Sequence, residues 1–582
     1  MTVPDLLEDE SVVSDEEGKS AAAGDSHGDI DSLEELDRRL ERLEYELHQA
    51  KVERNSKLPV ARLPAEVLTE IFSYLTRDLY TAYPRFHDKK RRNDWFFFTH
   101  VCHFWRTIAL NHAPLWICPD LSIPSLANAM AQRSKNANLH IVISGDPDIR
   151  QDILDTIQNQ MSRVEILRFD ITTSMGDTTK LQNFVSRLIQ PAPRLRKLCL
   201  YGGDHQLLSL PSQFLSLDAP SLEDMHLDRC HFPWESPMLR NLTNLYLLGD
   251  GSVSPSGQQF IEALRRMSSL QTLELDYAGP RSIQGLDVVH LRHLRHLRFV
   301  AGGASLSAMF THVAYPPSTR VDLLSISSSV EDWAPLWSSL KKRYDAMKAL
   351  SFDVYISRRS SSFSLKAWDT ANISIPSRHT MKRTDDPLLQ LEIRRDSGNV
   401  DATRTETNRA IETLFGESVE SIDIGGGFDR TIDYAVDLVH NANQLLSPGR
   451  ADLFPIFFRP LVHSTSLKQL SIRGHSWAYQ LASALTLAGE APNGPSSKPL
   501  SISFPSLTRL SLSFDSYTSN ARDVELVIDK LIQSLKWRAS CGQKLNTLFV
   551  IYHAGITDEQ IASLEEVVEE VMMEKIEGGA SM

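Results

Sequence analysis

Hydrophobic residues recur along this chain in three rhythms, and each marks a different kind of structure. From Asp31 to Arg54, Leu33, Leu36, Leu40, Leu43 and Leu47 alternate steps of three and four, the seam of a short coiled-coil-like helix. Asp31 or Ser32 is placed to cap its start, with Glu34 and Glu35 in the first turn. The seam spans only about two heptads. Self-association, docking of a partner helix, and packing on the helices that follow therefore all stay open.

A second rhythm runs from Leu58 to Trp116. Leu63-Pro64 opens a helix, since proline lacks an amide hydrogen and suits the first helical position. Behind it Val67, Leu68, Ile71, Phe72 and Leu75 form one apolar stripe, and Phe98, Val101, Cys102, Trp105, Ile108 and Ala109 form another. Thr76 to Asp94 connects the two, and Pro114-Leu115-Trp116 closes the unit with a turn.

From about residue 120 the rhythm becomes Leu-x-x-Leu-x-Leu. An early copy is Val164–Phe169; others begin at Leu195, Leu222, Leu242, Leu270 and Leu294, with looser ones at Val321 and Met347. From Leu195 to Met347 these starts lie close to the ~20–29-residue period of leucine-rich repeats. Helix-compatible segments such as Gln258–Arg266 lie between, so each strand-plus-helix unit would bury its apolar face against its neighbours. Residues 357–410 break the pattern with arginines and a serine run, although Leu389–Ile393 alternates like a strand. This stretch reads as an irregular repeat carrying loops. The frame returns at Val419, Leu467, Leu507 and Leu545 with wider spacing and a Gly/Pro/Ser loop at Gly489–Pro499. Thr557-x-x-Gln560 reads as a capping box opening a final helix, with Ile561, Leu564, Val567, Val568 and Val571 along one side.

Composition narrows the function classes. A hydrophobic content of 42% with 23% charged residues is that of a globular chain, and residues 1–30 are too acidic and apolar-poor to order. The formal net charge of −13 argues against nucleic acid as a partner. No apolar run reaches the ~18 residues of a membrane span, and the acidic start is neither a secretory signal nor a transit peptide. The expected compartment is the cytosol or the nucleus. Lys89-Lys90-Arg91-Arg92 is either an import signal or a solvated loop. Cys102, Cys118, Cys199, Cys230 and Cys541 show no paired spacing, which argues for reduced thiols and against a zinc site.

The ordered pieces Leu63-Pro64-x-Glu66, Val101-Cys102-x-x-Trp105-Arg106 with Ile108-Ala109, and Pro114-Leu115-Trp116 resemble the F-box. In that family a short helical module docks the Skp adaptor of a cullin ubiquitin ligase. The resemblance covers about sixty residues, and the connection Thr76–Asp94 is longer than the family's. With the repeats, it implies an α/β protein: an N-terminal helical F-box module followed by a curved leucine-rich-repeat solenoid with irregular repeats. The domains read as an acidic tail (1–30), a coiled-coil-like helix (31–56), the F-box-like unit (57–120) and a repeat domain (121–582) with a C-terminal capping helix. It further implies a substrate receptor of an SCF-type ligase whose partners are a Skp-type adaptor, through it a cullin, and a protein substrate. The alternative is a repeat scaffold whose F-box-like helices merely cap the first repeat.

The resemblance assigns adaptor contact to Leu63, Pro64, Glu66, Val67, Leu68, Ile71, Phe72, Leu75, Val101, Cys102, Trp105, Ile108, Leu115 and Trp116. Strand alternation turns the residues flanking the frame leucines to the opposite face, among them Lys197, Cys199 and Tyr201, and later Gln469, Arg473 and Arg509. Asp224, His226, Asp228, Tyr246, Glu274, Asp276 and Arg298 are the candidate substrate contacts; they read either as an acidic patch for a basic segment or as a mixed polar surface. His290, His293 and His296 cross from loop to strand, where a three-residue step does not align metal ligands. Gly425-Gly426-Gly427 lacks the spacing of a phosphate loop. No constellation supports catalysis, a metal or a cofactor.

Overall fold

The computed structural model describes residues 27–81, 94–121, 123–144, 151–170, 178–202, 207–252, 254–327, 333–356, 361–370, 386–395, 409–410, 413–414, 418–425, 461, 464–485, 503–514 and 521–576. The chain divides into two compact units, Met1–Trp116 and Ile117–Met582. The basic run at 89–92 and the loop at 489–499 lie outside the described residues.

The first unit is helical. Helix α1 (His27–Ser56) starts before Asp31 and Ser32, which are therefore interior residues rather than caps. Helix α2 (Ala65–Thr81) continues past Leu75 into what the sequence suggested was a connection. Leu63 is extended (φ −70°, ψ 131°), as a residue before proline prefers. The carbonyl of Pro64 accepts the first helical bond from Leu68 at 3.2 Å, so Pro64 caps the helix from outside. The second stripe is a 3-10 turn (Asp94–His100) followed by helix α3 (His103–Asn111), not one continuous helix. The break is Cys102, extended at φ −161°, whose Sγ accepts from the Trp105 amide at 3.5 Å. Leu68, Phe72, Phe98, Ala109, Leu115 and Trp116 are fully buried. Phe72 stacks on Phe98 at 4.4 Å and meets Trp105 edge-on at 5.3 Å. The Trp116 indole donates to the Ala109 carbonyl at 2.9 Å, satisfying its one polar atom in the core.

The second unit alternates strands and helices. Its first strands are β1 (Leu139–Ser144), β2 (Val164–Asp170), β3 (Lys197–Tyr201), β4 (Leu208–Ser209), β5 (Asp224–Asp228), β6 (Cys230–His231) and β7 (Asn244–Leu248). Next come β8 (Thr272–Asp276), β9 (Val289–His290), β10 (His296–Val300), β11 (Val313–Ala314), β12 (Arg320–Ser327), β13 (Ala349–Ile356), β14 (Ser361–Trp368) and β15 (Leu389–Arg395). The last are β16 (Ser421–Gly425), β17 (Gln469–Arg473), β18 (Arg509–Ser513), β19 (Leu545–Tyr552) and β20 (Val568–Lys575). The helices are α4 (Pro124–Arg133), α5 (Gln151–Gln160), α6 (Thr178–Arg187), α7 (Gly257–Arg266), α8 (Gly303–His312), α9 (Ala334–Tyr344), α10 (His475–Leu485), α11 (Ala521–Ser540) and α12 (Asp558–Val567).

Sixteen of the described strands form one sheet in the order β1-β2-β3-β5-β7-β8-β10-β12-β15-β14-β13-β16-β17-β18-β19-β20. Every pairing is parallel except those of β14. The frame leucines stand in register across it: Leu198, Met225, Leu245, Leu273, Leu297 and Val321 make one row, each at most 2% exposed. Parallel strands need a crossover, and segments such as α7 supply it. That helix opens with a Ser256–Gln259 capping box and buries Phe260, Ile261 and Leu264.

Two expectations need correction. Strands β12 and β13 do not pair; β15 and β14 lie between them, β14 antiparallel to both its neighbours, β13 and β15, and β15 parallel to β12. The arginines and serines around 358–362 hid an alternation in which Phe363, Leu365 and Ala367 are buried while Ser362, Ser364 and Lys366 are not. Among the described residues of this stretch, β14 is a strand the sequence reading did not foresee, and β15 is the strand expected at Leu389–Ile393. At the C-terminal end the Thr557–Gln560 capping box is present, but the helix stops at Val567. Val568 and Val571 belong to β20, which pairs in parallel with β19. As the last strand in the order it carries Glu569, Glu570 and Glu574, the kind of charge that discourages further strand pairing.

Candidate functional site

The adaptor-contact residues separate into two sets by burial. Leu68, Phe72, Leu115 and Trp116 have no exposed surface, so they hold the unit together and have no side-chain surface to offer a partner. Cys102 is occupied as a helix cap, and Trp105 and Ile108 are half-buried. The other set faces outward: Val67, Ile71 and Leu75, one helical turn apart, are 42%, 41% and 44% exposed. Pro64 and Glu66 are exposed and Leu63 half-buried at the head of this line. Tyr74, Phe97, Val101 and Phe104 are further exposed apolar side chains of the unit. The helical stripe expected at 67–75 therefore has a buried edge at 68 and 72 and a bare edge at 67, 71 and 75.

On the sheet, a second row brings together Arg168, Cys199, His226, Tyr246, Glu274, Arg298 and Asp322 on successive strands. The Arg168 guanidinium lies 5.1 Å over the Tyr201 ring, Tyr201 is 4.7 Å from His226, and His226 stacks on Tyr246 at 5.2 Å. This aromatic ladder gives way to ion pairs. His296 meets Glu274 at 3.4 Å, and Arg298 bridges Asp276 at 3.3 Å and Asp322 at 2.8 Å. Asp224 accepts from the Asn244 amide and has Lys197 at 4.0 Å.

The sheet's candidate contacts, including Asp228, are thus half-buried in one neighbourhood, but they do not form an acidic patch. Asp224 and Asp276 each face a cation on an adjacent strand, Lys197 and Arg298, and Glu274 faces the His296 ring. Burial works against the Arg298 charge, yet Asp276 and Asp322 outweigh it and hold its pKa above the ordinary value. Cys199 departs further from expectation: it is 1% exposed, a small side chain between the longer Arg168 and His226, and burial pushes its thiol up. Cys230 is shifted upward in the same way, so neither is an activated nucleophile. Arg168 and Asp322 were missed, although both occupy frame positions readable from the strand alternation.

A second ion-paired group lies on β13, β16 and β17. Arg473 Nη2 is 2.8 Å from both Asp353 and Asp423, and Ser351 donates to Asp423 at 3.1 Å. A Cβ at Gly425 would stand 2.6 Å from the Arg473 guanidinium carbon and from Asp353 Oδ1. Gly425 therefore makes room for this cluster rather than for a phosphate. Unforeseen in the sequence is a cavity of about 190 Å³ lined by Leu227, Cys230, Phe232, Trp234, Leu247 and Gly249, with Glu235 and Asp250 beside it. His290 and His296 sit on different sheets, and no trio of metal-ligating side chains exists among the described residues.

Burial lowers the pKa of His112, His140 and His226, outweighing Glu70, Glu165 and Glu274 respectively. The unfolded chain then binds protons more readily than the folded one below about pH 6.5, so stability is full above that value and falls as acid is added. The melting temperature is expected to drop between pH 7 and pH 5.5. His226→Phe, which keeps the ring between Tyr201 and Tyr246, should flatten part of that drop; an unchanged pH profile would remove His226 from the account.

Among the described residues no helix is long and apolar enough to cross a membrane. No protein-family model matches the chain, and no curated protein matches it.

Proposed function

We propose that this chain is a non-catalytic substrate receptor of an SCF-type cullin ubiquitin ligase, with the α2–α3 unit as its F-box and the sheet unit as a leucine-rich-repeat solenoid. The observation that carries the reading is the bare line Val67–Ile71–Leu75 on a unit whose core is complete without it. A folded helix keeps such a line open for a partner. The Leu-Pro, Val-Cys and Leu-Trp landmarks identify that partner as a Skp-type adaptor. The solenoid reading is supported by the in-register frame rows and the strand–crossover alternation. The capped-scaffold alternative would instead bury these three side chains against the first repeat.

In this role the protein performs no bond chemistry. It raises the effective concentration of a protein substrate beside a ubiquitin-loaded enzyme, in the cytosol or nucleus. The aromatic ladder at Tyr201, His226 and Tyr246, flanked by the balanced ion pairs, is the surface we assign to substrate. It suits a segment presenting an apolar or ring-bearing side chain rather than a purely basic one.

The test is capture of the full chain by purified Skp-type adaptor. Wild type is expected to bind, Leu63→Ala with Pro64→Ala to bind more weakly, and Val67→Asp with Ile71→Asp to lose binding while melting at an unchanged temperature. Failure of the wild-type chain to bind would overturn the reading.

A further inference from the structure

We propose that α1 pairs with the α1 of a second copy of this chain as a parallel, in-register, two-stranded coiled coil. Leu33, Leu36, Leu40, Leu43 and Leu47 are 59%, 53%, 57%, 51% and 55% exposed, and Ala50 continues their line on the same face. The approach of α1 to α3 instead uses His48, whose ring lies 6.2 Å from His103. His48 lies off the leucine seam, which is left bare. A bare seam alone names no occupant; the charges beside it do.

With leucines at the a and d positions, Arg39 and Glu46 fall at g, and Glu44 and Lys51 at e. In a parallel pair each g residue meets the e residue five places later on the partner helix. Arg39 then faces Glu44 and Glu46 faces Lys51, both opposite in sign, and the two-fold axis repeats each pair. An antiparallel pair would set Arg39 against Glu46 but Asp37 against Glu44, cancelling attraction with repulsion. The helix's ion pairs within the chain are Arg38 with Glu34 and Glu35, and Glu53 with Lys57. Among the described residues Arg39, Glu44, Glu46 and Lys51 make none. The four charges that a second copy would satisfy are the ones the monomer leaves unused.

This inference is independent of the ligase reading. Light scattering on the full chain should give twice 65.5 kDa, falling toward the monomer on dilution. Leu40→Glu with Leu43→Glu, both on exposed positions, should give the monomer mass with an unchanged melting temperature. Arg39→Glu should weaken the dimer about tenfold, since each symmetric copy trades attraction for repulsion. Adding Glu44→Arg should restore it, whereas adding Glu46→Arg should not. A monomer mass across the concentration series, a trimer or tetramer mass, a dimer indifferent to the leucine changes, or rescue by Glu46→Arg instead of Glu44→Arg would each overturn the proposal.

Discussion

Replacing Arg538 with alanine is expected to destabilise the last strands of the sheet by about 3–5 kcal/mol. Arg538 on α11 is 1% exposed, yet it meets no carboxylate among the described residues. Its guanidinium donates instead to the carbonyls of Ser503 at 2.5 Å, Phe504 at 2.8 Å and Leu507 at 3.1 Å. Phe504 is a buried non-glycine residue at φ 54°, a left-handed conformation that surrounding contacts must enforce. The planar fork of Arg538 therefore pins the turn that leads into β18. Alanine would strip donors from three carbonyls, each worth about 1–3 kcal/mol when buried, and leave the space of the stem empty. Burial without a counter-charge lowers the Arg538 pKa to about 10. Below that value the group is charged in both folded and unfolded chains, so its contribution does not vary across neutral pH. Hydrogen exchange of the β18 and β19 amides should accelerate in Arg538→Ala and recover partly in Arg538→Lys, which keeps the charge but not the fork. A loss under about 1 kcal/mol would remove the clamp from the account.

The second large effect is expected at Phe72. Truncation to alanine removes the ring between Phe98 and Trp105, a change costing about 3–5 kcal/mol in a closed core. Its neighbour Ile71 points outward, and Ile71→Asp should change stability by less than about 0.5 kcal/mol. Exchange protection of α2 and α3 in the two variants gives the comparison directly. Similar loss in both would mean that the 67–71–75 line is core rather than docking surface, and would also undercut the proposed adaptor contact.

Much of this protein was legible in its pattern of apolar positions. The frame leucines from Val164 to Val550 mark nearly every long sheet strand, because one buried face imposes a period that no tertiary contact needs to supply. The capping box at Thr557 was equally local. The β12–β15–β14–β13 fold-back was not legible, since strand order is a choice among distant partners and the short polar runs between strands carry no record of it.

Sequence by itself determined where the apolar faces lie; tertiary structure alone decided which of them are covered. Phe72 and Ile71 are both apolar members of one stripe, and only packing against Phe98 buries the first and leaves the second bare. The acidic residues on β5 and β8 read either as an acidic patch or as a mixed polar surface until strand register set Lys197 and Arg298 against them. Charge on a chain is local, but neutralisation depends on separations of a few ångströms between residues more than twenty positions apart.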